Sequence, residues 1–239
     1  MSGINQPVMK VPYKGRELVY AIVSDHTAWR VRTMFSKEPD TIAWIESMAP
    51  GEVFVDIGAN MGIYTVFAAA NGLKVHAFEP EAENYNLLCK SIAFSELDAQ
   101  AYCVALSDKY EASWLYLSGR IAGGSCHTVG ENIDHRLTQR DYEVKQGVIS
   151  VPLDSLNIKA DHIKIDVDGL EHLVVEGGSK TILYAQSVLV EINENLPQHM
   201  ELCEWFNMNG FTVDEEQVQK ARRTEGIFKG CGNRIFVRS

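Results

Sequence analysis

The stretch Val53-Phe54-Val55-Asp56-Ile57-Gly58-Ala59-Asn60-Met61-Gly62 constrains this chain more than any other. An apolar run closes on an acid, two glycines follow, and an apolar-periodic segment runs from Ile63 to Ala70. That order reads as a strand, a tight turn and a helix N-terminus. In α/β sheets such turns sit at the carboxyl edge of the strands, where ligands bind. Glycine permits close approach of backbone to a ligand and dihedrals that other residues avoid. The loop is therefore expected to hold a ligand against its backbone.

The acid narrows the choice of ligand. A dinucleotide fingerprint needs glycine at positions 58, 60 and 63. Here they are Gly58, Asn60 and Ile63, and no Lys-Ser/Thr pair completes a phosphate loop. Asp56 at the loop entrance is a poor neighbour for a pyrophosphate. It suits a cationic or zwitterionic ligand such as S-adenosylmethionine, which has an ammonium, a carboxylate and a sulfonium but no phosphate. Asp56 can take the ammonium directly or through water, and loop N–H groups at the helix start can take the carboxylate. Glu79, about twenty residues past Gly58 at the end of the next strand, suits both ribose hydroxyls.

The order of elements is legible from periodicity. Residues 8–23 read as a hairpin about Lys14-Gly15. Two helices follow, one over 26–35 and one opened by Pro39 and stopped by Pro50-Gly51. This prelude, residues 1–50, is expected to be a cover, either a lid on the loop's mouth or a plug on a sheet face, with 51–239 as the main domain. Lys74–Phe78 is the second strand, 81–94 a helix, and 101–106 a third strand with its end beside the second, where an adenine fits. Residues 111–117 and 144–151 alternate as strands. Between them Gly119–Arg140 is Gly-rich and polar, and is expected to be mobile until an acceptor binds. Residues 162–165 form a buried strand closing on Asp166 and Asp168, followed by a helix from Leu170. Strand 187–192, a helix over 201–208 and a closing hairpin of 211–214 with 234–238 complete the chain. Alternating strands and helices favour a doubly wound, mostly parallel sheet.

Composition excludes other classes. The net charge of −10 disfavours nucleic acid, which needs a basic face, and an anionic membrane surface. No run is long and apolar enough to span a bilayer, and the first ten residues show no secretory pattern. The cysteines, Cys89, Cys103, Cys126, Cys203 and Cys231, are odd in number and widely spaced, which suits free thiols in a cytoplasmic protein.

The motifs Val55-Asp56-Ile57-Gly58-Ala59-Asn60-Met61-Gly62, Phe78-Glu79-Pro80, Val104-Ala105-Leu106-Ser107-Asp108, Gly123-Gly124-Ser125 and Ile163-Lys164-Ile165-Asp166-Val167-Asp168-Gly169-Leu170-Glu171 occur in an order that resembles the FkbM family of methyltransferases. The resemblance spans roughly 38–193. It implies a Rossmann-like α/β fold, a seven-stranded sheet with an antiparallel terminal hairpin, and methyl transfer from S-adenosylmethionine. The usual acceptor is a hydroxyl on a sugar or secondary metabolite. It also implies that Asp56, Gly58, Asn60 and Gly62 face the methionine part of the donor, Glu79 the ribose, and Ala105 and Leu106 the adenine, with Ala59 and Pro80 also in the donor site. Asp168 stands where the family often has Glu.

A hydroxyl is a weak nucleophile, so a base is expected. Asp166 or Asp168 is the candidate, with Asp166 also beside the donor and His127 as a partner. Asp166, Asp168 and Glu191 share one sheet edge and permit a divalent metal, without a spacing that demands one. A nucleotide-binding oxidoreductase and a non-catalytic nucleoside-binding module are the alternative readings. Oligomeric state is not legible.

Overall fold

A computed structural model describes residues 6–119, 121–142 and 144–238. Arg120 of the Gly-rich stretch and the first five residues of the segment read for a leader lie outside them.

The chain opens with the expected hairpin, β1 (Val8–Tyr13) against β2 (Arg16–Ala21), turned through Lys14 and Gly15 at positive φ. Helix α1 (Asp25–Lys37) starts in a reciprocal cap. Ser24 Oγ accepts from the Thr27 N–H, and Thr27 Oγ1 accepts from the Ser24 N–H. Helix α2 (Pro39–Glu46) carries Pro at its first position, where the missing N–H costs nothing. The alternation then proceeds as read: β3 (Val53–Ile57), α3 (Ile63–Ala70), β4 (Lys74–Phe78), α4 (Ala82–Phe94) and β5 (Ala99–Tyr102).

The third strand departs from expectation. It ends at Tyr102, and Ala105–Leu106 form a separate strand, β6. The cause is the end of its neighbour. Phe78 is the last β4 residue in register, Glu79 N–H closes the ladder on Tyr102 O, and Pro80 cannot donate further. Strand β6 joins a second, four-stranded sheet with β7 (Glu111–Leu117), β8 (Thr128–Val129) and β9 (Val144–Val151), in the order β6-β9-β7-β8. The edge of β6 expected beside β4 therefore pairs with β9.

The chain returns through β10 (His162–Ile165), α5 (Glu171–Tyr184), β11 (Ser187–Asn193), α6 (Pro197–Met208) and β12 (Phe211–Val213). A short helix not anticipated from the sequence, α7 (Glu215–Ala221), is capped by the Asp214 side chain, and β13 (Cys231–Arg238) completes the fold. The main sheet has the order β12-β13-β11-β10-β3-β4-β5. Only β13 runs against its neighbours, so the mostly parallel seven-stranded sheet with an antiparallel terminal hairpin is observed. The strand order reverses between β3 and β10, and such a switch point opens a crevice at the strands' carboxyl ends.

Period-2 alternation along β3 feeds two cores. Phe54 packs with α1–α4 residues such as Met34, Trp44, Phe67 and Leu88. Val55 and Ile57 pack with Val174 of α5 and Phe206 of α6. Full burial of each such side chain contributes about 1.5–3 kcal/mol. The N-terminal hairpin joins the first core through Leu18 and Tyr20, and Ala21 N–H donates to Ser91 Oγ of α4 at 3.0 Å.

Candidate functional site

One cavity at the carboxyl ends of β3, β4 and β10 is lined by Gly58, Asn60, Glu79, Pro80, Ala105, Leu106, His127, Asp166 and Asp168. Ile57, Phe78, Val104 and Leu115 add an apolar wall. Ala105 and Leu106 reach it from the second sheet, because the chain leaves β5 at the cavity's edge. Gly58 has φ +79, and a Cβ there would collide with the Asp166 carbonyl oxygen. Only glycine lets the loop after β3 pass the end of β10.

Glu79 is buried and its carboxylate grips the loop. One oxygen accepts from Asn60 N–H at 2.7 Å and the other from Glu81 N–H at 2.9 Å. Burial pushes its pKa up to about 8 despite those donors. Asn60, at φ +51, also donates through Nδ2 to Gly124 O at 2.7 Å. Asn84 grips the same turn: Gly123 N–H donates to Asn84 Oδ1 at 2.8 Å, and Asn84 Nδ2 donates to Gly124 O. His26 Nε2 of α1 lies 3.1 Å from Gly123 O. The Gly-Gly-Ser turn is thus hydrogen-bonded to the loop, to α4 and to α1. Further along, Cys126 N–H donates to Asp168 Oδ2 at 2.7 Å, and Asn193 Nδ2 donates to His135 O at 3.0 Å.

Asp56 is not where the sequence reading put it. It is fully buried, accepts from Thr65 Oγ1 at 2.7 Å, and does not line the cavity. Alternation explains this, because Asp56 shares the face of Phe54 and so points beneath α3. In register beside it on β10 is Lys164, whose ammonium lies 3.8 Å from Asp56 Oδ1 and 3.0 Å from Asp166 Oδ2. Burial raises the Asp56 pKa, with Lys164 opposing. Burial likewise acts against the Lys164 charge, but Asp166, Asp56 and Glu38 outweigh it and raise its pKa. Gly62 is also outside the cavity: at φ +87 it lets α3 start against Leu88, whose Cδ1 a Cβ would approach to 2.6 Å. Ala59 lines only a smaller neighbouring cavity.

Asp166 and Asp168 differ in environment. Burial acts to raise the Asp166 pKa, but the Lys164 ammonium outweighs it and holds the carboxyl below the usual range. Asp168, at φ +60, is pushed up to about 7, by burial first and then by Asp166. His127 accepts at Nδ1 from Ser118 N–H at 3.2 Å, and burial, aided by Arg140 and Arg30, pushes its pKa down to about 4. The neutral ring must then carry its hydrogen on Nε2, as a donor rather than a base. Glu191, the third acid of the edge, is turned to Arg223 at 3.2 Å. Among the described residues no group of three or more His, Cys, Asp or Glu is gathered to hold a metal.

Lys164 and Asn84 were missed by sequence reasoning. A lysine inside the apolar run His162–Ile165 was the available signal for the first. An Asn preceding Leu87 and Leu88 on the buried face of a helix was the signal for the second.

A doubly wound sheet closed by an antiparallel terminal hairpin, with a crevice at its switch point, is a Rossmann-like α/β fold. The methyltransferase FkbM domain model matches residues 56–213, more than half of the chain, and the chain belongs to that family. No curated protein matches the sequence. Among solved structures, the chain is similar to an rRNA methylase from Streptococcus thermophilus at 12% identity, covering 91% of this chain and 99% of that one, TM-score 0.49. Magnesium protoporphyrin IX methyltransferase from Synechocystis PCC 6803, with bound SAM, is 13% identical, covering 92% and 86%, TM-score 0.48. The T. thermophilus 16S rRNA N2 G1207 methyltransferase, in complex with AdoMet and guanosine, is 12% identical, covering 98% of this chain, TM-score 0.48. This chain spans 50% of that enzyme's length.

Proposed function

We propose that this protein transfers a methyl group from S-adenosylmethionine to a hydroxyl oxygen of a sugar or other small metabolite. The observation that carries the reading is the meeting of the Gly58–Asn60 loop, Glu79, the Ala105–Leu106 edge, Asp166 and Asp168 around one cavity in a chain of this family. Residues 1–50 act as its cover and 51–239 as the catalytic domain. The net charge of −10 supports a small acceptor over a nucleic acid. No described helix is long and apolar enough to cross a membrane.

The donor set fits the cofactor. The Gly58 cradle admits it against backbone, Glu79 suits a ribose diol, and the apolar wall with Ala105 and Leu106 suits an adenine. The cofactor supplies a methyl already activated by its sulfonium. Asp166, kept ionised by Lys164, presents a fixed negative charge to that cationic end. Asp168 takes the acceptor's proton, since a base near neutrality is best matched to the task. His127 Nε2–H supplies a fixed hydrogen-bond donor. Alignment of acceptor and methyl contributes several kcal/mol more. Labelled-donor turnover with fractionated cell metabolites tests the reading, and a chain that binds the donor but never transfers its methyl would be a binding module instead.

Glu79→Ala should weaken S-adenosylhomocysteine binding by about 1.5–3 kcal/mol in calorimetry. Because Glu79 also satisfies two backbone amides, the variant should lose about 1–3 kcal/mol of stability as well. Unchanged affinity would remove Glu79 from the ribose role. Asp166→Asn should weaken binding of the cationic donor more than that of the uncharged-sulfur product, and equal losses for both would contradict its electrostatic role.

A further inference from the structure

A second, smaller cavity lies across Gly58, Asn60 and Asp166 from the donor cavity and is walled on its far side by α1 and Tyr64. Arg30 lines both cavities. Its charged neighbours there are already matched. Lys37 pairs with Glu38 at 3.3 Å, and Glu38 accepts from Tyr64 Oη at 2.8 Å and Asn233 Nδ2 at 3.0 Å. Lys164 stands between Asp56 and Asp166. Among the described residues the Arg30 guanidinium has no ion pair, and its Nε is buried without a hydrogen-bond partner. With no ion pair of its own and a place on the wall of both cavities, its guanidinium end is available to the two oxygens of a carboxylate or phosphate. In a chain of net charge −10, one unmatched cation admits one small anionic group and not a polyanion.

We propose that the N-terminal cover supplies, through Arg30, a subsite for a single carboxylate or phosphate group beside Asp166. The residue belongs to α1, ahead of the family-matched segment 56–213, so this recognition is carried by the cover. The proposal rests on the donor reading for the identity of the adjoining cavity. The anion has two sources, the amino-acid end of the donor or an acidic acceptor.

The test uses the full chain with R30Q and R30K. Calorimetry measures S-adenosylhomocysteine and methylthioadenosine, which is the same nucleoside without the amino-acid end. Melting is followed with inorganic phosphate on the free and the methylthioadenosine-bound chain. A loss of about tenfold or more for S-adenosylhomocysteine in R30Q, with methylthioadenosine unchanged, assigns the subsite to the donor. Unchanged affinity for both nucleosides, with the phosphate-induced rise in melting temperature lost, assigns it to an acceptor. Recovery in R30K supports a charge role in either case. R30Q equal to wild type in all three arms overturns the inference. A wild type that binds neither nucleoside overturns the donor reading instead, and the phosphate arm on the free chain then decides the inference alone.

Discussion

Asp168→Asn is expected to lower kcat by about 10²-fold or more at neutral pH while leaving the fold intact. The substitution keeps the Cys126 N–H bond to a side-chain oxygen but removes the carboxylate proposed as the proton acceptor. Asp168 is faced by Asp166, Glu171 and Glu191 on the acidic side, and by Arg30. With burial, the acids push its pKa up to about 7, so kcat at saturating donor should rise as pH passes through that value and level above it. The limb should be missing in Asp168→Asn. Reading kcat rather than kcat/KM keeps the Glu79 titration, at about 8, out of the profile, since the role proposed for Glu79 is in donor binding. A variant retaining wild-type turnover would leave Asp168 a structural role.

Lys164→Met should cost about 3–5 kcal/mol of stability, because it strands Asp56, a fully buried carboxylate, without its counter-charge. The sign with pH follows from Asp56. Its pKa is already raised by burial, and removal of Lys164 raises it further. Unfolded Asp titrates at about 3.9, so the penalty is small below that pH and grows as pH rises above it. In the wild type, the Lys164 contribution is present below about 10.4 and is lost only as pH climbs through its higher folded value. Urea melts of both proteins at acidic and neutral pH measure the difference. A gap that is the same at both pH values would contradict the buried-pair account.

The alternation that framed β3, β4 and β10 was local information, and it carried Gly58, Asn60, Glu79, Asp166 and Asp168 to the cavity. The same alternation held the correction for Asp56, since a residue two beyond Phe54 must share its face. Lys164 needed one step more, the register that sets it beside Asp56, and register belongs to strand pairing rather than to either strand. The second sheet was hidden for the same reason: β7 and β9 were visible as strands, but nothing local tells which ladder each joins. The turn at Gly123–Gly124 is held by Asn60, Asn84 and His26, all distant in sequence, so nothing local shows its partners.

The central claim is tested most directly by melting the purified chain with S-adenosylhomocysteine and, separately, with NAD. At about 100 times its dissociation constant, S-adenosylhomocysteine should add roughly 2.7 kcal/mol. In a chain of this size that is a rise on the order of 5–10 °C in Tm, with no rise from NAD. A shift with NAD and none with S-adenosylhomocysteine would contradict the assignment of the donor cavity.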